Sequence, residues 1–195
     1  MSYLAWIDFD PEERRRAQTL IDLFKQPEAR DELGLGTVRD AIADLLFPGT
    51  STIQTRIRYM LFVPWIYLQS HGRVATQAER TAIARNLEFE LSEALLRGEE
   101  TTDVIGRLAG RQLKRLPSSV YWAGLHVLGI RLLPGSQATF LSYGPESLKD
   151  HDLKLWSPDL PKPPADLFGK TNFALTEDEA GFLRDRIECN AKHSL

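Results

Sequence analysis

The segment from Thr52 to Tyr59 carries side chains that could contact a nucleic acid. Gln54, Arg56 and Arg58 stand among threonines and a tyrosine, and the segment contains no acid. Arginine can bind the guanine edge bidentately, glutamine can bind the adenine edge, and hydroxyl groups can hold phosphates. We therefore predict that Gln54, Arg56 and Arg58 contact nucleic acid, with Gln54 at a base edge. The alternative is a structural helix whose arginines only face solvent.

A second group of cations lies in a stretch without acids. Between Val104 and Pro145 there are four arginines and one lysine but no Asp or Glu, although the whole chain carries a net charge of −3. A local basic field inside an acidic protein favours an anionic partner. The stretch contains Arg107, Arg111, Lys114, Arg115 and Arg131. We predict that the first four contact phosphates; a solvated basic face is the alternative.

No arrangement of catalytic residues is recognisable. The chain has no glycine-rich phosphate loop, no dinucleotide fingerprint and no zinc-protease motif. Cys189 is the single cysteine, which excludes an internal disulfide framework, and no base is placed to activate it. His151 between Asp150 and Asp152 is typical of a solvated polar stretch. We expect no catalytic residue, no metal and no cofactor, and a binding protein rather than an enzyme.

The first group of candidate residues lies in a helix-turn-helix pattern. The spacing predicts a helix over 38–47, a four-residue turn at 48–51 that contains Pro48 and Gly49, and a second helix to about Leu68. In a helix-turn-helix, the second helix enters the major groove of DNA. A plain helical hairpin is the alternative.

The second group lies among further helix signals. Thr76 and Glu79 form a capping box that opens a helix to about Arg97, and a short helix is predicted over 102–113. A helix over about 119–128 is followed by Ile130–Leu133, which could form a short strand. Because a helix followed by a β-like wing is one way in which a winged helix closes, this is a second candidate DNA-binding unit.

We predict a mainly α fold with helix-turn-helix or winged-helix-like units and few short strands. A helical domain would cover 1–142, beginning with a helix between Pro11 and Pro27. A proline-rich linker would cover 143–172, and Trp156 within it indicates that the linker docks. The segment 173–195 would contain a helix opened by a further capping box, either the start of a truncated second part or a tail that packs back or engages a partner.

The amino-terminal sequence lacks the features of a secretory signal. Met1–Leu4 is not a basic region that precedes an apolar core. No apolar run reaches the roughly 18 residues that a membrane-spanning helix requires. We expect a cytoplasmic protein with no membrane contact.

Several phrases of the chain carry a family resemblance. They are Tyr3–Phe9, Arg30–Asp40, Phe62–Tyr67, Arg115–Trp122 and Gly129–Arg131. Together they resemble an uncharacterised bacterial family of unknown function, and the resemblance covers roughly residues 1–187. It carries over no activity and no catalytic residue to this chain. It implies members that are longer than this chain and that lie near helicase-like, mobile or anti-phage genes, so this chain would be a shortened member.

The sequence and the resemblance together favour a non-enzymatic accessory factor. It would bind DNA or a DNA-processing partner, such as a helicase-like protein, in phage defence. The alternative is a protein-interaction scaffold without nucleic-acid binding. Its docking surface would consist of Trp65, Tyr67, Trp122 and Trp156, and the cations would only keep it soluble.

Overall fold

Helices dominate the part of the chain that the structure describes. The computed structural model describes residues 35–72, 76–150, 153–169 and 171–192. Its helices are α1 (Leu35–Leu46), α2 (Tyr59–His71), α3 (Gln77–Leu96), α4 (Pro117–Val127), α5 (Gln137–Ser142), α6 (Pro145–Asp150) and α7 (Glu177–Asn190), with a 3-10 turn at Gly110–Gln112. The prediction of a mainly α fold is confirmed. The helix predicted between Pro11 and Pro27 lies outside the described residues, as do His151 and Asp152.

The chain forms two units, residues 1–43 and residues 44–195. The described part of the first unit is 35–43, which forms most of α1. The hydrophobic core and both groups of candidate residues lie in the second unit. None of the helices in the described ranges is long and apolar enough to cross a membrane.

Helix α2 is central to the core because its sequence is apolar on every side. All residues from Tyr59 to Tyr67 are buried, including Pro64, which lies inside the helix. A helix that is hydrophobic all round is expected to be buried. Helices α3 and α4 pack against it. Each large side chain buried in this way contributes roughly 1.5–3 kcal/mol.

Two capping boxes begin helices at the predicted positions. At the start of α3, Thr76 Oγ1 accepts from Glu79 N at 3.3 Å and Glu79 Oε2 accepts from Thr76 N at 2.8 Å. Thr176 and Glu179 repeat the arrangement at α7, at 3.2 and 3.0 Å. Each box satisfies two backbone donors that the first turn leaves open. Both predicted starts are confirmed.

The predicted four-residue turn before α2 is wrong. Helix α1 ends at Leu46 and α2 begins only at Tyr59, with turns over 47–58. Hydroxyl groups in this connection bond the local backbone: Thr50 Oγ1 donates to Phe47 O at 2.9 Å, and Ser51 Oγ accepts from Ile53 N at 3.3 Å. Such bonds compete with helix formation. The helix-turn-helix arrangement is therefore not confirmed.

The helix predicted over 102–113 is also wrong. This segment consists of turns that end in the 3-10 turn at Gly110–Gln112. Gly106 has a φ of 90° and Gly110 a φ of 50°. Both values lie in the left-handed region, which a right-handed helix excludes and which glycine adopts readily. The cations of this segment therefore do not follow a helical spacing.

The segment predicted as a strand, Ile130–Leu133, forms one isolated antiparallel bridge, between Arg131 and Trp156. Leu132 N donates to Leu155 O and Ser157 N donates to Ile130 O, each at 2.9 Å. The bridge joins it to the proline-rich segment and not to a neighbouring hairpin strand. The winged-helix interpretation is not confirmed.

The proline-rich segment packs on the core. Trp156 and Leu167 are buried, and Trp65 Nε1 donates to Pro161 O at 2.7 Å. Trp156 contacts the rings of Tyr67, Trp122 and Phe140. The predicted docking of Trp156 is confirmed, whereas the domain boundaries at 142 and 172 stay predictions.

Candidate nucleic-acid interface

Gln54 is half-buried and bonded to the backbone of the protein itself. Its Nε2 donates to Gly49 O at 3.2 Å and to Val120 O at 3.4 Å. Beside it, Tyr121 Oη accepts from Thr55 N at 2.9 Å and from Arg56 N at 3.1 Å. These bonds fasten the connection 47–58 to α4. The side-chain amide of Gln54 thus supports the fold.

Arg56 is partly exposed and lies among acids. Its Nε donates to Asp103 Oδ2 at 2.7 Å, and its Nη2 lies 3.3 Å from Glu100 Oε2. The guanidinium also stands over the ring of Phe173, 5.5 Å from its centroid. These groups hold Arg56 against the turn-rich segment that follows α3.

Arg58 is buried, with 7% of its surface exposed. Its Nη2 donates to Glu179 Oε1 at 2.8 Å, and its Nη1 donates to Asn172 O at 2.8 Å. Glu179, which is also buried, belongs to the capping box of α7. The ion pair therefore joins the start of α2 to the start of α7. The prediction that Gln54, Arg56 and Arg58 bind nucleic acid stays a prediction, and all three have intramolecular partners.

The second group of predicted residues is exposed. Arg107, Lys114 and Arg115 face solvent, and within the described residues their side chains form no ion pair or hydrogen bond. Arg111 is exposed and its Nε lies 3.0 Å from Glu93 Oε1. These four cations flank or belong to the 3-10 turn that packs against α3.

Helix α3 adds a cation that the sequence reasoning missed. Arg85 is exposed, and its Cζ lies 5.3 Å from the ring centroid of Phe89. Arg111 Cζ lies 5.6 Å from the same ring. The structure thus joins Arg85 to the acid-free segment. The signal in the sequence was the spacing of Arg85 and Phe89, which places them on one side of a helix. These exposed cations, which we call the basic surface, are Arg85, Arg107, Arg111, Lys114 and Arg115.

Arg131 does not belong to the basic surface. It is 3% exposed, and its Cζ lies 4.6 Å from the ring centroid of Trp122. Its Nη1 donates to Leu133 O and its Nη2 to Trp122 O. Burial lowers the pKa of Arg131. The surface therefore carries one cation fewer than the acid-free segment of the sequence contains, because Arg131 is buried.

The aromatic residues considered for protein docking form the core. Trp65, Tyr67 and Trp156 are buried and Trp122 is half-buried. An apolar groove of about 390 Å³ lies elsewhere, between the connection 47–58, α4 and α7. Its lining includes Phe47, Ile57 and Ile187, which are 48%, 42% and 37% exposed. This groove is one exposed apolar feature that a protein partner would meet.

Comparison with known proteins identifies a family but no activity. Among the described residues, no group of three or more His, Cys, Asp or Glu side chains is placed to hold a metal ion. No curated protein and no solved structure matches the chain. The sequence profile of a family of unknown function, DUF6361, matches residues 1–195. The chain therefore belongs to the DUF6361 family.

Proposed function

We propose that this protein is a non-enzymatic accessory factor that binds the phosphates of nucleic acids through its basic surface. The observation that carries the proposal is the exposure of Arg107, Lys114 and Arg115, whose side chains have no partner among the described residues. Exposed, unpaired cations release counterions when they meet phosphates, and this release drives sequence-independent binding.

Arg111 and Arg85 extend the surface. The side chains of Arg111 and Glu93, which form an ion pair, are 60% and 48% exposed. Exposed ion pairs contribute only about 0–1 kcal/mol, so Arg111 can exchange Glu93 for a phosphate at little cost. The ring of Phe89 holds both guanidinium groups in place. In this proposal, Gln54, Arg56 and Arg58 stabilise the fold and the basic surface contacts the nucleic acid.

The family resemblance supports a biological setting for this binding. It favours a DNA-linked role in phage defence, in the cytoplasm, with a helicase-like or other DNA-processing protein as partner. The net charge of −3 opposes indiscriminate binding to polyanions. Contact would then occur in one orientation, with the basic surface toward the strand.

Loss of the free cations should weaken DNA binding and flatten its salt dependence. We expect Arg107→Ala with Lys114→Ala and Arg115→Ala to reduce the slope of log K against log salt by about 2 to 3, since each phosphate contact contributes roughly 0.9 on duplex and 0.7 on single strands. Fluorescence anisotropy of labelled duplex and single-stranded DNA, from low to moderate salt, measures the slope.

The matched control is Lys154→Ala with Lys162→Ala and Arg184→Ala. It removes the same charge from three other exposed positions. We expect it to bind nearly as the wild type does, and circular dichroism confirms that both variants are folded. Equal losses in the two triple variants, or no binding by the wild type at low salt, would contradict the proposal.

The apolar groove supports a second candidate function, a protein-interaction scaffold. Binding there would bury Phe47, Ile57 and Ile187 and would depend little on salt. Ile57→Asp, at an exposed position, places a charge in the groove and should abolish such binding without changing DNA affinity. Pull-down of partners with wild-type and Ile57→Asp protein, at low and at high salt, separates the two functions.

A further inference from the structure

A cavity of about 290 Å³ lies beside the basic surface. It is lined by side chains of α2, α3, α4 and α5 and by Lys114, which belongs to the basic surface. Four apolar residues form much of its wall: Ala84, Leu116, Ala138 and Leu141. A cavity with apolar walls and a few convergent polar groups is the usual form of a small-molecule site.

Two polar residues, Glu88 and Gln137, line this cavity. Glu88 is 1% exposed and accepts from Ser118 N at 2.7 Å and from Ser118 Oγ at 2.8 Å. Two bonds use only part of the acceptor capacity of a carboxylate, so Glu88 can accept from a ligand as well. Gln137 Nε2 is buried and has no hydrogen-bond partner within the described residues. A buried donor without a partner is costly, and an acceptor on a ligand would remove that cost.

Two cations lie at the exposed side of the cavity. Arg85 and Lys114 line it and face solvent, whereas Glu88 and the Gln137 amide nitrogen are buried. A complementary ligand has an apolar body, a donor and an acceptor at its inner edge, and an anionic group at its outer end. A nucleotide, in which a sugar joins a nucleobase to a phosphate, has these features.

We propose that this cavity binds a single nucleotide unit. The base lies between the apolar walls, with an acceptor at Gln137 Nε2 and a donor at Glu88, and the phosphate lies at Arg85 and Lys114. The volume of about 290 Å³ lies just below the roughly 300–1,000 Å³ typical of ligand sites, so the cavity can hold one unit and not a longer segment. The unit comes from a free mononucleotide or from the unpaired end of a strand, and the second source rests on the proposed function.

Isothermal titration calorimetry with the four deoxynucleoside 5′-monophosphates and with inorganic phosphate tests the assignment. We expect saturable binding of at least one mononucleotide and weaker binding of inorganic phosphate. Gln137→Glu replaces the donor by a carboxylate of the same shape and should weaken binding at least tenfold. Lys114→Gln should weaken it too, whereas Lys162→Gln, the same change at another exposed position, should not.

Thermal unfolding of each variant shows whether it is folded. Should Gln137→Glu fail to fold, Gln137→Met removes the donor at similar size and carries the same expectation. Absence of saturation by all four mononucleotides, wild-type affinity in the folded Gln137 variant, or inorganic phosphate binding as tightly as a mononucleotide would overturn the assignment.

The source of the nucleotide is found by comparing linear, 5′-phosphorylated single-stranded DNA with a circle of the same sequence. Tighter binding of the linear strand, with competition by the mononucleotide, supports a strand end in the cavity. Equal binding of both forms, with mononucleotide binding intact, supports the free molecule. Mononucleotide binding without binding of any DNA would overturn the proposed function and leave the cavity assignment standing.

Discussion

Arg58 and Glu179 form an ion pair that water hardly reaches, with side chains 8% and 6% exposed. The carbonyl and side-chain oxygens of Asn172 accept from Nη1 of the guanidinium, whereas its buried Nε has no hydrogen-bond partner among the described residues. Within such a pair, the loss of one partner leaves a buried charge without compensation. The free energy of unfolding is therefore more sensitive to one substitution here than to the replacement of both residues.

We expect Arg58→Ala to lower the free energy of unfolding by about 3–5 kcal/mol, because it leaves Glu179 buried and unpaired. Arg58→Ala combined with Glu179→Gln should cost less than the sum of the two single changes. Guanidinium chloride unfolding of the four proteins of this cycle measures both quantities. A loss below about 1 kcal/mol for Arg58→Ala, the size typical of an exposed pair, would be inconsistent with a buried pair.

Glu88 gives the protein a pH response. Burial raises the pKa of Glu88 to about 7, against the bonds from Ser118, which lower it. In the unfolded chain a glutamate ionises near pH 4.3. Between these two values the folded state holds a proton that the unfolded state has lost. The stability contributed by protonated Glu88 is thus lost as the pH rises from about 4.5 to about 7.

Glu88→Gln should therefore stabilise the protein more at pH 8 than at pH 5, by on the order of 3 kcal/mol. Glutamine keeps an acceptor for Ser118 N and cannot ionise. Burial also lowers the pKa of His71, so the folded protein loses stability as the pH falls below about 6.5. This loss runs in the opposite pH direction to the effect of Glu88 and should become visible in the Glu88→Gln variant. Urea unfolding across this pH range measures the difference, and equal differences at the two pH values would argue against a buried, titrating Glu88.

At the scale of elements, α4 and the connection 47–58 meet through two glycines. A Cβ atom built on Gly124 would lie 2.2 Å from Gly49 O and 2.8 Å from Met60 Cε. Gly49 has a φ of 75°, in the left-handed region. The close approach of two backbones explains why the connection can follow α4 and why Gln54 and Thr55 reach it.

Gly124→Ala should destabilise the protein by about 1–3 kcal/mol, since the added methyl group has no space. Gly181→Ala is the matched control: it also lies inside a helix, α7, and an added Cβ meets nothing within 4 Å. There the change should stabilise by roughly 0.5–1 kcal/mol. Thermal unfolding of both variants measures the contrast, and the same sign in both would exclude the close approach.

Local signals in the sequence predicted the elements that depend on local bonds. The capping boxes at Thr76 and Thr176 were readable because both partners lie three residues apart. The conformation of the connection 47–58 was not predictable from local sequence, because Arg56 N donates to Tyr121 Oη, which lies 65 residues further along the chain. The exposure of Lys114 and its neighbours followed from their types alone. The burial of Arg58 did not, because it depends on a distant acid.

At the scale of the whole molecule, the carboxy-terminal part of the chain completes the core. Leu155, Trp156, Leu167, Phe173 and Leu183 are buried together with residues of α2 and α4. Their removal would expose those helices to water. These five side chains contribute roughly 1.5–3 kcal/mol each, about 8–15 kcal/mol together, which is comparable to the whole 5–15 kcal/mol that a typical domain possesses.

A chain that ends at Ser142 should therefore not fold cooperatively, although 1–142 holds five of the seven described helices. A chain that ends at Lys192 keeps every core residue that the structure describes and is the control. Near-ultraviolet circular dichroism and urea unfolding distinguish the two. A sigmoidal transition with native-like aromatic signals in the shorter chain would show that 1–142 is an independent domain.

The ion pair between α2 and α7 also has a consequence for the order of events during synthesis. Arg58 and Glu179 are 121 residues apart. At the roughly 5–20 residues per second of translation, Glu179 follows Arg58 after on the order of 10 seconds. During that time α2 and Arg58 lack the carboxy-terminal residues that bury them in the folded protein. Such long-range closure is slow and leaves nascent chains open to aggregation. We therefore expect chaperones to bind the nascent chain until α7 has left the ribosome.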